Sequence, residues 1–429
     1  MFQLHCAFQN YAWGKIGPDS EVFRLLRDRN GLNPRDPYAE LWMGDHCQAP
    51  SQICLKDKQV PLSDAIIQKP TCLGDPECIQ QKKLSYLFKV LSIQHALSIQ
   101  VHPNKTEAID LHARFPGIYK DPNHKPELAI ALTDFEALVA FRSMDQILWF
   151  FKHVPHLMDF VKSELDGTCN KFKSDHLKHL YSAVMTTSQD KVESITKLIY
   201  EAIKSPLVHH KTSEPSAISP EEAHTICNLY VRLYESFPGD VGCVSVFFLN
   251  YVILKPGEAI YLDAGTVHAY LSGDCVECMA NSDNVIRAGL TPKLKDIETL
   301  LRVVNFQSRT QEKVRFIPKE DCLLSSNGDV KVQALDYSPP INDFAVERFS
   351  ADACVGNFTL PPVSSASIIL VVDGAGKLAG QSDAKSFSKG SVFFVHAGER
   401  VQVNTTETCE FANEGLLMFR ARANFSQLF

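Results

Sequence analysis

The chain has 429 residues, enough for two or three domains at roughly 100–200 residues each. Its 45% hydrophobic and 22% charged residues are ordinary for a globular protein with a sizeable core. A formal net charge of −7 argues against a broad nucleic-acid or anionic-membrane surface, yet leaves room for a small phosphate held by a few local cations.

The N-terminal run MFQLHCAFQNYAWG has no basic start followed by a long apolar stretch, so it does not read as a targeting segment. Residues 1–142 mix short β-like runs with Gly, Pro and Asp punctuation, and 86–92 and 96–101 read as strands. The texture changes at Ser143. Apolar residues fall at helical spacing over 145–162, with Pro155 as a break, and again over 189–204. A third helix is expected over 220–237, where Pro220 and two acids make a good start. The stretch 143–238 therefore reads as a helical block inserted into a β framework. The longest apolar runs, such as 367–372, fall far short of the ~20 residues of a membrane helix. Thirteen cysteines, an odd number without a disulfide rhythm, point to a reducing cytosol.

After Pro238-Gly239-Asp240 the β texture resumes, and a pattern repeats. Gly257, five residues, Asp263-Ala264-Gly265, two residues and His268 match Gly390, five residues, His396-Ala397-Gly398, two residues and Val401. The same strand-turn-strand corner ends in a metal-capable side chain once and in an aliphatic one the second time. This spacing resembles a motif of the cupin superfamily, small β-barrels of the jelly-roll kind. The expected fold is mainly β with an α-helical insert: two cupin-like jelly-roll units plus a helical domain. The expected boundaries are 1–142 with 239–315 for the unit bearing the site, 143–238 for the insert, and 316–429 for a C-terminal unit without a metal.

Strand alternation puts Gln100 and His102 on one face. Glu127 follows in a loop-like run, and His268 ends the first glycine corner. Two imidazoles, a carboxylate and an amide oxygen suit a borderline divalent ion such as zinc. By residue type alone the set is modest, because a lone histidine is more often structural and glutamine is an uncommon ligand. An iron-dependent oxygenase would need open positions around two histidines and a carboxylate, for which Gln100 is a poor fit.

The run Tyr119-Lys120-Asp121-Pro122-Asn123-His124-Lys125-Pro126-Glu127 resembles a signature of the type I mannose-6-phosphate isomerases, and 268–293 resembles their second signature over its whole length. Ser98–Lys105 and Asn10–Gly14 are also similar. The resemblance implies one zinc per chain at Gln100, His102, Glu127 and His268, and interconversion of mannose 6-phosphate and fructose 6-phosphate through an enediolate. It implies a role in GDP-mannose synthesis, a cytoplasmic monomer, small sugar-phosphate substrates, and no nucleic-acid or membrane partner. It marks Arg287 as catalytic, Ser98 and Lys293 as phosphate-binding, and Lys125 as a substrate-facing cation. For the base, His124, Asp283 and Glu277 all stand by type and proximity. The alternative reading is a non-catalytic cupin that binds sugar phosphate.

Other features read as structural. The Cys275–Cys278 pair has no second pair and no redox setting. Asn404-Thr405-Thr406 fits a glycosylation sequon without a secretory signal, and His209-His210 has no obvious partners. Four positions in three places depart from the family pattern: Ser85 where proline is usual, Asp45 and Cys47 for the Thr and Pro of Thr-His-Pro, and Val267 where proline is common beside His268.

Overall fold

In the computed structural model, which describes residues 1–27, 29–55, 58–162, 175–205, 217–324, 331–351, 356–381, 383–405 and 415–424, two β units stand back to back with a helical block against the first. The sequon's Thr406 and the His209-His210 pair lie outside the described residues.

The first unit is built on the long strand His268–Ala280. It pairs antiparallel with Tyr86–Ile93 and Glu127–Ala131, and its first half pairs with Phe135–Phe141. Every residue of Tyr86–Ile93 is buried, which explains its nearly continuous apolar run. One face of this strand (Leu91, Ile93) joins Ala129, Ala131, Ile260 and Tyr270 in the interior of the unit. The other (Tyr86, Phe88, Val90) joins Ile368, Leu370, Phe394 and Phe419 in a seam between the two units. Each such side chain contributes about 1.5–3 kcal/mol when buried.

Gly273 lets the long strand serve one interior along its whole length. It adopts φ +109°, and a Cβ there would collide with the Asp134 carbonyl oxygen. The register slips beside it, so Tyr270 and Cys275, which strict alternation would set on opposite faces, share the same core. Cys278 faces the seam instead, so the CxxC residues point apart and both are free.

The second unit packs a seven-stranded sheet against a four-stranded one, with Phe349, Phe358, Ile369, Val371, Val401, Val403 and Met418 between them. The N-terminal strand Phe2–Gln3 pairs with this sheet, at Phe394 and Phe393. The glycine corner recurs in geometry as well as in letters. Gly257 and Gly390 have φ of +87° and +83°, and Gly265 and Gly398 have +77° and +71°. His268 opens the strand after the first corner, and Val401 opens Val401–Thr405 after the second.

The helical block holds Met144–His153, Asp175–Met185, Gln189–Lys204 and Pro220–Ser236 among its described residues. The first of these is shorter than the expected 145–162. Pro155 has no N–H to donate and disfavours the helical conformation at Val154, so the helix stops at His153 and a short 3-10 turn, Leu157–Phe160, follows. The expected strand at 96–101 begins only at Ile99. No helix among the described residues is long and apolar enough to cross a membrane.

Candidate metal centre and active site

Three strands set the site by register. His268 lies opposite Gln100, and Gln100 in turn lies opposite Arg287 on the strand Ile286–Gly289. Gln100, His268 and Arg287 thus form one lateral row. His102 follows two residues beyond Gln100, and Glu127 begins the strand Glu127–Ala131.

His102 Nε2 lies 3.3 Å from Glu127 Oε1, and His268 Nε2 lies 3.5 Å from Glu127 Oε2. Each imidazole donates its other nitrogen to a backbone carbonyl: His102 Nδ1 to Asn284 (2.7 Å) and His268 Nδ1 to Thr266 (2.9 Å). These bonds fix the tautomer and turn both Nε2 lone pairs inward, the usual support for a metal-binding histidine. His102 Nε2 and Glu127 Oε2 are buried with no hydrogen-bond partner. Buried polar atoms are rarely left so, and a cation between them would satisfy both. Ligand atoms of the three residues lie within 4.8 Å of one another, and among the described residues no other group of this kind occurs. The donor set fits zinc.

Burial pushes the His102 imidazole down to about 4, which favours the neutral, ligating form. Burial alone would raise the Glu127 carboxyl, but its contact with His102 and the charge of Lys125 hold it well below the usual range. Gln100 sits at the ring with its Nε2 donating to His268 Nε2 (3.2 Å), while its Oε1 accepts from Ser98 Oγ (3.3 Å).

The two signature segments are laced together behind the ring. Asn284 Nδ2 donates to the Asp121 and Asn123 carbonyls, Ser282 Oγ to Asp121 Oδ1, and the Asp283 N–H to Asp121 Oδ2. The carbonyl that orients His102 is therefore itself held in place by the loop that delivers Glu127.

The remaining expected residues separate. Arg287 is half-buried, burial lowers its affinity for the proton, and among the described residues its guanidinium has no carboxylate partner. Lys125 is buried with Nζ 3.4 Å from Glu127 Oε1. Lys293 is exposed just past the Arg287 strand, its N–H donating to Thr291 Oγ1. His124 turns from the ring: its Nε2 lies 3.1 Å from Asp343 in the second unit, beside a cavity of about 500 Å³. Asp283 is exposed, accepts from Gln48 Nε2 (2.9 Å), and is held below the usual carboxylate range by His46. Glu277 is buried in the interior, opposite Ala129 and Lys89 in register. Burial and the charge of Glu127 push its carboxyl up to about 7, against the pull of Lys89.

Sequence reasoning missed Lys89 and Glu40. Lys89 Nζ lies 3.4 Å from Glu40 Oε2 and 3.6 Å from Glu277 Oε2, and all three are buried. The available signal was a single charge inside an apolar strand, which rarely survives burial unpaired.

The departures from the family pattern are accommodated. Ser85 Oγ donates to the Asp343 carbonyl (2.6 Å), a bond proline could not make. Asp45 accepts from the Leu84 N–H (2.9 Å), and Val267 is buried.

Fold and ring together define a β-barrel protein of the jelly-roll kind with one buried metal centre. Comparison with known proteins narrows this. Residues 1–144 match the catalytic domain of phosphomannose isomerase type I, and residues 158–249 match the helical insertion domain of the same family. An Echinococcus multilocularis protein, a probable mannose-6-phosphate isomerase, is 42% identical over 99% of this chain and 100% of its own. Human mannose-6-phosphate isomerase is 37% identical over 98% of each chain. A zinc-bound crystal structure of mannose 6-phosphate isomerase superposes with a TM-score of 0.77 at 30% identity, covering 99% of both chains. The chain belongs to the type I phosphomannose isomerases.

Proposed function

We infer that this chain interconverts mannose 6-phosphate and fructose 6-phosphate, with one zinc held by His102, Glu127, His268 and Gln100. The observation that carries the reading is the buried ring with its unsatisfied His102 Nε2 and Glu127 Oε2, set beside an Arg287 that has no carboxylate partner among the described residues. Zinc in such a site supplies Lewis-acid polarisation of the sugar oxygens.

Moving the carbonyl between C1 and C2 requires a proton to leave one carbon and reach its neighbour, with negative charge stabilised between the two events. Glu277 is the group we assign to the proton. It faces the same interior as Glu127, and a carboxyl near neutrality suits a general base. Its carboxylate takes the C2 proton of the aldose and returns it to C1, while the hydroxyl proton passes from O2 to O1 at the enediolate stage, leaving the carbonyl on C2. Lys89 balances the charge of the ionised form. Arg287 holds the enediolate oxygens with its fork of donors. Lys125 keeps Glu127 ionised, and we assign Ser98 and Lys293 to the phosphate. His124 and Asp283 are committed to Asp343 and to His46 with Gln48, and serve the loops rather than the proton.

Curated relatives at 37–42% identity are named as isomerases, so a non-catalytic sugar-phosphate binder is not favoured. The acidic net charge supports the reading without nucleic-acid or anionic-membrane partners, and the cysteine pattern supports a cytoplasmic setting. We read the chain as a monomer whose product feeds GDP-mannose synthesis. A coupled assay for fructose 6-phosphate formed from mannose 6-phosphate tests the activity. Turnover by the zinc-loaded chain is expected, and its absence with zinc bound sinks the reading.

A further inference from the structure

We propose that Glu40, oriented by the Trp42 indole, is a positioning residue that fixes the Lys89 ammonium against Glu277. The proposal rests on the reading of Glu277 as the base.

The strand Glu40–Met43 pairs with Tyr86–Ile93 so that Trp42 stands opposite Lys89, and Lys89 stands opposite Glu277 on the next strand. Trp42, Lys89, Glu277 and Ala129 make one row across four strands. Glu40, two residues before Trp42, points to the same face. The Trp42 Nε1–H donates to Glu40 Oε2 (2.5 Å), and that oxygen lies 3.4 Å from Lys89 Nζ. The ammonium also stands over the Trp42 ring, 5.0 Å from its centroid. Trp42 itself packs edge-on against His46.

The charge count shows what this arrangement is for. One ammonium serves two buried carboxylates, with Glu127 and Lys125 nearby as a second pair of opposite sign. Tyr270 and Cys275 from the long strand also feel these charges, and Tyr11 feels those of Glu40 and Lys89 from the N-terminal segment. A lysine carries four rotatable carbons, so an ammonium held only by Glu277 would sample several positions. Glu40 removes that freedom from the opposite side, and the Trp42 N–H removes it from Glu40. Burial would lower the Lys89 ammonium, but Glu40, Glu277 and Glu127 overcome this and keep it charged. Removing a member of such a buried pair leaves an uncompensated charge, so its effects must depend on whether the partner is present.

The test uses the full-length, zinc-loaded chain and mannose 6-phosphate. Glu40→Gln is expected to lower kcat about tenfold, part of the 10²–10⁴ that positioned proton transfer supplies, with KM and one zinc per chain retained. Trp42→Phe keeps the ring and removes the donor, and a loss of about threefold is expected. In a Lys89→Met background Glu40→Gln should cost no further activity. It should raise the melting temperature there, because it removes a stranded carboxylate, while lowering it in the wild type. Equal effects of Glu40→Gln with and without Lys89, a change confined to KM, or loss of zinc with activity would overturn the proposal. If Glu40→Gln does not fold, Trp42→Phe with and without Lys89→Met carries the same test: dependence on Lys89 supports it, independence overturns it. Glu277→Gln is measured in parallel. Retained kcat there removes Glu277 as base, whereas lost kcat with independent Glu40 and Lys89 effects removes only the positioning role.

Discussion

The two glycine corners differ little in backbone and completely in chemistry. Both turn on paired left-handed glycines, and both release a strand at the equivalent position. Around His268 the neighbouring strands bring Gln100, His102 and Glu127. Around Val401 they bring Leu360 and other apolar side chains. The corner is therefore a device for closing a barrel, and the metal centre arises only where adjoining strands supply matching donors. The second unit spends its interior on packing and gives its other face to the first unit.

Changes at the two corners should separate most widely in His268→Ala. It should abolish both zinc retention and turnover, exceeding the roughly 10–100-fold that outer hydrogen-bond partners contribute to metal affinity. Metal analysis beside the coupled assay checks this, and a variant that keeps its zinc breaks the ligand assignment. Arg287→Ala should retain zinc and lower kcat by about 10²–10³, the scale for one transition-state donor. A raised KM at unchanged kcat would reduce Arg287 to substrate binding.

Near the seam between the units, Asp45 offers a stability contrast. Burial raises its carboxyl to about 6, against about 3.9 in an unfolded chain. The folded state binds that proton more tightly, so the contribution is fully present below about pH 4 and is lost as pH rises through about 6, amounting to about 3 kcal/mol. Denaturant titrations at several pH values should show this slope in the wild type and not in Asp45→Asn. A slope shared by both proteins would place it elsewhere. Val401→Ala should cost about 2 kcal/mol of stability through a cavity while leaving zinc content and kcat unchanged. Lost metal there would show that the second corner does more than pack.

Much of the fold was legible because its signals are local. The helices at 189–204 and 220–236, the strand at 86–93 and the recurring corner all follow from spacing and turn residues. The Phe2–Gln3 pairing with the C-terminal sheet left no local signal, because its partners lie at the far end of the chain. At the site, His102, Glu127 and His268 could be chosen by type. Gln100 needed the family resemblance, and its reason appears only in register, between His268 and Arg287. The choice among His124, Asp283 and Glu277 required knowing where each side chain goes. Two of them meet partners in other segments, His124 with Asp343 and Asp283 with His46 and Gln48. Glu40 and Lys89 are the only charged residues of their strands, and only the pairing of those strands shows that they meet.

The most direct test of the contrast between the corners is the zinc content of the purified, active chain, measured by elemental analysis with and without His268→Ala. One zinc per wild-type chain and none in the variant is the predicted result. Two zincs per chain, or one remaining after His268 is removed, would contradict it.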